Sequence, residues 1–350
     1  MERIGEYLIR RLVGEGGMGK VFEAEERLSK RRVALKVLRP ELARSQEARR
    51  LFMGEMTILA HLDHPNVVRC LACSEIDGEL VMALELLEGR TLREVLLDRG
   101  RLAWAEAVDV VVQMASGLRA AHRQEPPIVH RDLKPENVIV LDSGQVKVMD
   151  FGIAKVLEAL SRSTTHSVGT LQYMSPEQID AAGVDARSDL YALGLVFYEL
   201  LAGRAPFESA SPRELLNMQC TAEPPPLPDE VRTSLPKGIE RLVFSLLRKR
   251  PEDRPPDADA VLAALEPFAV ADRGSSVPVR AQSRTHIAPA PSPPATAVRP
   301  VSVVSDTIGL VERAAAPRQV SWPVALLILV VASLIAGGVT LWVKAASAAT

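Results

Sequence analysis

The chain has 350 residues, 47% of them apolar and 25% charged, enough for one large two-lobed core with appendages. Its formal net charge of −2 argues against a nucleic-acid binder as a whole. Three cysteines, Cys70, Cys73 and Cys220, are too few for a disulfide framework and fit a reducing compartment. The N-terminus, Met1-Glu2-Arg3-Ile4-Gly5, has no apolar run behind it, so no secretory signal is expected.

Tyr7 to Leu12 alternates like a strand, and Val21 to Glu25 alternates again. Between them lies Gly14-Glu15-Gly16-Gly17-Met18-Gly19-Lys20-Val21, a G-x-G-x-x-G-x-V. Glycine motifs of this form also open dinucleotide-binding helices, but here strands stand on both sides. Strand, glycine turn, strand predicts a hairpin lying close over phosphates, with backbone N–H groups facing the oxygens. Val33-Ala34-Leu35-Lys36 follows as a strand carrying one lysine, whose ammonium would neutralise phosphate charge. Glu55, 19 residues on, falls in the helical pattern Leu51–Leu59, which His64-Pro65-Asn66 ends. A Lys36–Glu55 pair is the expected switch contact. Cys70 and Cys73 form a C-x-x-C without a second ligand pair, and with Val67, Val68 and Leu71 beside them they read as strand packing.

Two further motifs follow: His130-Arg131-Asp132-Leu133-Lys134-Pro135-Glu136-Asn137, and Asp150-Phe151-Gly152, which begins 18 residues after Asp132. Together with the glycine hairpin, Lys36 and Glu55 they resemble, in complete order, the motifs of eukaryotic-like protein serine/threonine kinases over residues 7–268. The resemblance implies an α+β, two-lobed protein-kinase fold, with a small β-rich N-lobe and a larger, mainly helical C-lobe. It also implies residue roles. Asp132 would accept the proton of the attacking hydroxyl and Lys134 would neutralise the γ-phosphate; a lysine at that place resembles the serine/threonine class rather than the tyrosine class. Asn137 and Asp150 would ligate Mg²⁺, with Mn²⁺ as the alternative ion. Val21, Ala34 and Ile139 would enclose the adenine of ATP, with Leu12 and the glycine loop above it. Leu84-Glu85-Leu86-Leu87 looks like the hinge, with the Glu85 and Leu87 backbone at the adenine edge.

Ser175-Pro176-Glu177 departs from the commoner A-P-E by one small residue, and Glu177 is expected to pair with Arg254. Gly169-Thr170 resembles the substrate-side loop, where the Thr170 hydroxyl bridges Asp132 and Lys134. Ser161, Ser163, Thr164, Thr165 and Ser167 crowd the intervening segment. Arg131 is of the kind that pairs with a phosphate, so autophosphorylation at Thr164 or Thr165 is expected to order it. Asp189, in Asp185–Gly194, is expected to accept hydrogen bonds from the catalytic-loop backbone rather than act as a surface helix cap.

Residues 269–321 are rich in Pro, Ala, Ser and Val, and read as a disordered juxtamembrane linker. Six arginines between Arg273 and Arg318 face only Asp306 and Glu312. This reads first as a solvated linker and second as a segment drawn to anionic lipid headgroups. Val324–Val343 runs 20 residues without a charge, long enough for a bilayer core of ~30 Å at ~1.5 Å per residue. Trp322 and Trp342 bracket it, so 322–343 is predicted to cross a membrane, leaving 344–350 as a short external tail. Arg313 and Arg318 precede the span and Lys344 follows it, which places the N-terminal region in the cytoplasm, at an inner (plasma) membrane. The layout is similar to that of bacterial membrane-anchored kinases. Gly337 and Gly338 are adjacent rather than spaced as G-x-x-x-G, so the helix-pairing signal is weak.

The leading reading is an active kinase with ATP and proteins as substrates, no nucleic acid, and a homodimer admissible for trans-autophosphorylation. The alternative is a membrane-anchored pseudokinase scaffold, which predicts loss of Lys36, Asp132, Asn137 or Asp150; all four are present. A small-molecule phosphotransferase would lack Lys134, Gly169-Thr170 and Ser175-Pro176-Glu177. A transporter is poorly served by one span.

Overall fold

The computed structural model describes residues 2–16, 19–40, 50, 56, 59–151 and 171–269. Gly17, Met18, Glu55, Thr164, Thr165, Thr170 and all positions beyond Ala269, with the expected linker and membrane span, lie outside the described residues. Among the described residues, no helix is long and apolar enough to cross a membrane.

The first part of the chain is one antiparallel sheet. Its strands are β1 (Arg3–Ile4), β2 (Tyr7–Gly16), β3 (Gly19–Glu26), β4 (Arg32–Leu38), β5 (Cys70–Ile76) and β6 (Glu79–Glu85), in the order β1-β2-β3-β4-β6-β5. Alternation on β4 sorts its side chains to two faces. Val33, Leu35 and Val37 pack with Tyr7, Ala24, Val81 and Ala83 in a core of their own. The other face carries Ala34, Lys36 and Leu38. It is continued by Leu84 opposite Ala34, and by Val21 and Met82 opposite Lys36. Leu38, Met82 and Leu84 belong to the larger core shared with the helical part. Cys70 and Cys73 both lie on β5 with their sulfurs 3.3 Å apart, as packing residues of that strand.

A short sheet follows, β7 (Gly89–Thr91), β8 (Val138–Leu141) and β9 (Val146–Val148), interleaved with α1 (Leu92–Arg99) and α2 (Trp104–His122). Thr91 caps α1 and Glu94 returns the bond, a capping box that starts the helix sharply. Then come α3 (Pro176–Ile179), α4 (Ala186–Ala202), α5 (Pro212–Thr221), α6 (Asp229–Arg232), α7 (Lys237–Leu246) and α8 (Ala258–Ala269). Helix α4 is capped by Asp185 and ends at Gly203 in the left-handed region at φ 77°. From Ser188 to Leu201 every residue of α4 is buried. A helix apolar on all sides belongs in the centre of a core; α2 and α7 pack against it.

One ion pair closes the lower part of this lobe. Arg254 grips Glu177 with both guanidinium ends, at 2.7 and 2.8 Å, and its side chain is 0% exposed. The same guanidinium donates to the carbonyls of Arg187, Arg248 and Lys249 and stacks 4.8 Å above Tyr191. Burial pushes the Glu177 carboxyl up, but the bonds from Arg254 and Ser188 outweigh it and hold it below its ordinary value. A carboxylate held low stabilises the fold fully above its unfolded value and loses that contribution as pH falls through its folded value. Arg254→Met should therefore cost about 3–5 kcal/mol near neutral pH, leaving Glu177 buried and unpaired. The gap to wild type should narrow as Glu177 takes a proton in acid. Denaturant titrations at neutral and acid pH measure this; a gap independent of pH rejects the ion pair as its source.

Candidate active site

The glycine hairpin forms as its sequence predicts, with Gly16 opposite Gly19 and Gly14 opposite Val21. Gly19 is required by the fold: its φ is +146°, and an added Cβ would sit 2.0 Å from the Val37 carbonyl. Gly14 differs, because a Cβ there would meet nothing within 4 Å and its backbone is ordinary. The chain alone does not need glycine at 14, so the space beside it suits something that approaches the backbone closely. Leu12 and Val13 remain about half exposed. Val21, Ala34, Leu87 and Ile139 are each half-buried. Of the expected hinge Leu84–Leu87, Leu84 and Glu85 end β6, and Leu86 and Leu87 have no regular structure.

Lys36 is buried at 5% exposure, and its Nζ donates to Asp150 Oδ1 at 2.7 Å. Strand β4 belongs to the first sheet and Asp150 follows β9 of the second, so this bond joins the two lobes. Glu55, the expected partner of Lys36, lies outside the described residues. Burial raises the Asp150 carboxyl, but the Lys36 charge and hydrogen bond, with smaller help from His130 and Lys134, bring it below its ordinary value. Asp150 is ionised at neutral pH. It sits at φ +61°, a left-handed conformation uncommon for aspartate and typical of functional sites.

The loop from His130 to Asn137 is held from several directions. Asp189, 1% exposed in the first turn of α4, accepts from the backbone N–H of His130 and of Arg131, and shares a bond with His122 Nε2, each at 2.8 Å. Burial alone would raise this carboxyl; the His122 bond and the surrounding donors lower it overall. The His130 ring bridges two segments: the Asp132 N–H donates to its Nδ1, and its Nε2 bonds the Met149 carbonyl at 2.7 Å. That places the proton on Nε2. The ring also leans on Phe151, centroid to centroid 4.6 Å. Arg131 is left-handed at φ +66°, and its carbonyl accepts from Gln178 Nε2 at 2.7 Å. The turn after Ser175 is thereby tied to the loop.

Within that frame Asp132 is aimed. Lys134 Nζ donates to both of its oxygens, at 2.9 and 2.8 Å. Asn137 Nδ2 donates to the Asp132 carbonyl at 2.7 Å and to Oδ2 at 3.1 Å. With its amide nitrogen so engaged, Asn137 presents its carbonyl oxygen as an acceptor. The Asn137 and Asp150 oxygens are hard donors, which suit a divalent cation such as Mg²⁺. Among the described residues no three His, Cys, Asp or Glu side chains cluster as a metal cage, so such a cation would complete its shell with phosphate oxygens and water.

The arrangement combines a buried lysine, two carboxylates in different roles, a lysine on the second carboxylate and a glycine turn with open space. Residues 7–264 match the protein kinase domain family. The chain belongs to that family. It is 37% identical over 270 residues to serine/threonine-protein kinase PrkC of Bacillus subtilis, covering 77% of this chain and 41% of that protein. To serine/threonine-protein kinase pkn3 of Myxococcus xanthus it is 37% identical over 314 residues, 86% of this chain and 57% of that protein. The PknI kinase domain of Mycobacterium tuberculosis, a solved structure, superposes with TM-score 0.60 at 28% identity, over 77% of this chain and 98% of that one. The chain spans about two fifths to three fifths of the length of these curated kinases. The fold is the two-lobed protein-kinase fold, and the family implies use of ATP with a divalent metal.

Three positioning residues of this kinase had no motif to mark them. His122 reaches Asp189 from α2, Gln178 reaches the catalytic loop from α3, and Lys147 reaches the end of β6. The position of His122, eight residues before His130 at the end of a helix, was the available signal for the first.

Proposed function

We propose that this chain is an ATP-dependent protein serine/threonine kinase that transfers the γ-phosphate of ATP to serine and threonine hydroxyls of proteins, itself included. The observation that carries the reading is Asp132, oriented by Lys134 and Asn137 in a loop anchored on buried Asp189, next to the Lys36–Asp150 pair.

Phosphoryl transfer leaves the protein mainly positioning and charge neutralisation to perform. Lys36 opposes the α- and β-phosphates of ATP, and the glycine hairpin covers them. The half-buried apolar residues Val21, Ala34, Leu87 and Ile139 accept the adenine, whose edge bonds the backbone at Glu85 and Leu87. Asn137 and Asp150 would hold Mg²⁺, which when bound neutralises charge on the phosphates. Asp132 accepts the proton of the acceptor hydroxyl and points its oxygen at the γ-phosphate. Lys134, already on Asp132, neutralises the charge that moves to the transferred group. Thr170 contributes its hydroxyl beside them, and phosphate on Thr164 or Thr165 orders the segment by pairing with Arg131.

Incubation with labelled ATP and Mg²⁺ tests this. Asp132→Asn should lower turnover by about 10²–10⁴-fold while ATP still binds; near-wild-type turnover removes Asp132 from its role. Peptide mapping of the active wild type should find phosphate on Thr164 or Thr165, and finding neither rejects that regulation.

We also propose that residues 322–343 anchor the protein in the inner (plasma) membrane by one helix, with the kinase domain, residues 7–268, in the cytoplasm and 269–321 as linker. The 20 uncharged residues Val324–Val343 support this. A chain ending after residue 270 should move from the membrane fraction to the supernatant with its activity retained; persistence in the membrane rejects the anchor.

A further inference from the structure

Lys147 lies on β9, three residues before Asp150, and is only 8% exposed. Its neighbours Val146 and Val148 are fully buried on the other face of that strand. A lysine this deep needs partners for its charge. Its Nζ donates to the Val67 carbonyl at 3.2 Å and to Glu85 Oε1, a residue 62 positions away in sequence. Glu85 is the last residue of β6, where the chain opens into residues 86–88. The same carboxylate also accepts from the Arg69 N–H at 2.8 Å, and the Glu85 N–H donates to the Arg69 carbonyl at 3.0 Å. Backbone bonds stitch this region further: Val148 N–H to the Asn66 carbonyl and Val68 N–H to the Val148 carbonyl, both at 2.9 Å. One ammonium thus bolts the strand leading to Asp150 onto the strand end leading to the hinge.

A nucleotide bound as proposed is gripped at two ends, and the phosphate end draws on both sheets: Lys36 stands on the first, as Glu85 does, and Asp150 follows the second. The backbone at Glu85 and Leu87 takes the adenine; Lys36 and Asp150 face the phosphates. If the two grips can slide, each binding event must order them, and affinity falls. We propose that Lys147 and Glu85 are a positioning pair that fixes the separation of the adenine-holding and phosphate-holding ends and so sets ATP affinity rather than turnover. This rests on the kinase reading above. A purely stabilising role is the weaker account. An apolar residue at a buried ionic position is often as stable as the ion pair, so stability alone does not call for a charge here.

Steady-state kinetics of the full chain, with ATP and acceptor protein varied separately, tests the pair. Lys147→Met should raise KM for ATP about tenfold, the size of a lost charge-assisted hydrogen bond. It should leave kcat and KM for the acceptor within about twofold. Glu85→Gln should act in the same direction, and the double variant should be no worse than the worse single, because the two act as a unit. Lys147→Arg, which keeps donors for Val67 and Glu85, should stay near wild type. A merely structural role reduces the amount of active enzyme, so kcat falls while KM for ATP holds; that result, or additive single effects, overturns the proposal. Should Lys147→Met fail to fold, Glu85→Gln and Lys147→Arg decide alone, since an unchanged KM in Glu85→Gln overturns it. A wild type that transfers no phosphate rejects the kinase reading instead, and calorimetric ATP affinities of the same variants then carry the test of the pair.

Discussion

The bond between Lys36 and Asp150 is the constraint on which the rest depends. It runs from the middle of a six-stranded sheet to a residue just beyond a three-stranded one, 114 positions apart in the chain. Both charges are largely withdrawn from water, so each would be costly without the other. Bringing them together ties one sheet to the other. On the proposed reading, half-buried Val21, Ala34 and Ile139 form apolar walls at one end of the nucleotide site, with the fixed charges of Lys36 and Asp150 at the other. A molecule with a flat apolar head and a polyanionic tail matches that polarity.

The second requirement is that Asp132 stay aimed while substrates come and go. Asp189 meets it from inside the core. A carboxylate at the start of α4, a helix whose centre is wholly buried, gathers two backbone N–H groups of the catalytic loop and a histidine from α2. Loop backbone cannot be buried without partners, and here the partner belongs to that buried helix. Arg131 and Asp150 hold left-handed conformations on either side of this anchor. Such backbone persists only where the surroundings over-determine it, and the bonds from Asp189, Gln178 and Lys36 do so.

Much of this was legible in the sequence because the chemistry demands particular residue types at short spacing. The glycine hairpin and Lys36 could be read from the residues themselves, and the run from His130 to Asn137, Asp150 and the two-lobed fold through their resemblance to protein kinases. Asp189 on the loop backbone and Arg254 on Glu177 were legible only through resemblance, since nothing local marks a partner 58 or 77 residues away. Gln178 on the Arg131 carbonyl, His122 on Asp189 and Lys147 on Glu85 were not legible. Each joins elements through a single side chain, and only the packing of α2, α3 and β9 decides what it meets. The left-handed backbone at Asp150 was equally silent, because aspartate carries no sign of the conformation that its neighbours impose.

The central claim is that the triphosphate of ATP, not only its base, is bound by fixed charge at this site. The direct measurement is calorimetric titration of the full chain in Mg²⁺ with ATP and, separately, with adenosine, for wild type and Lys36→Met. The account predicts that wild type binds ATP much more tightly than adenosine, and that Lys36→Met removes most of the difference while adenosine affinity stays nearly constant. Equal affinities for ATP and adenosine in the wild type would contradict it.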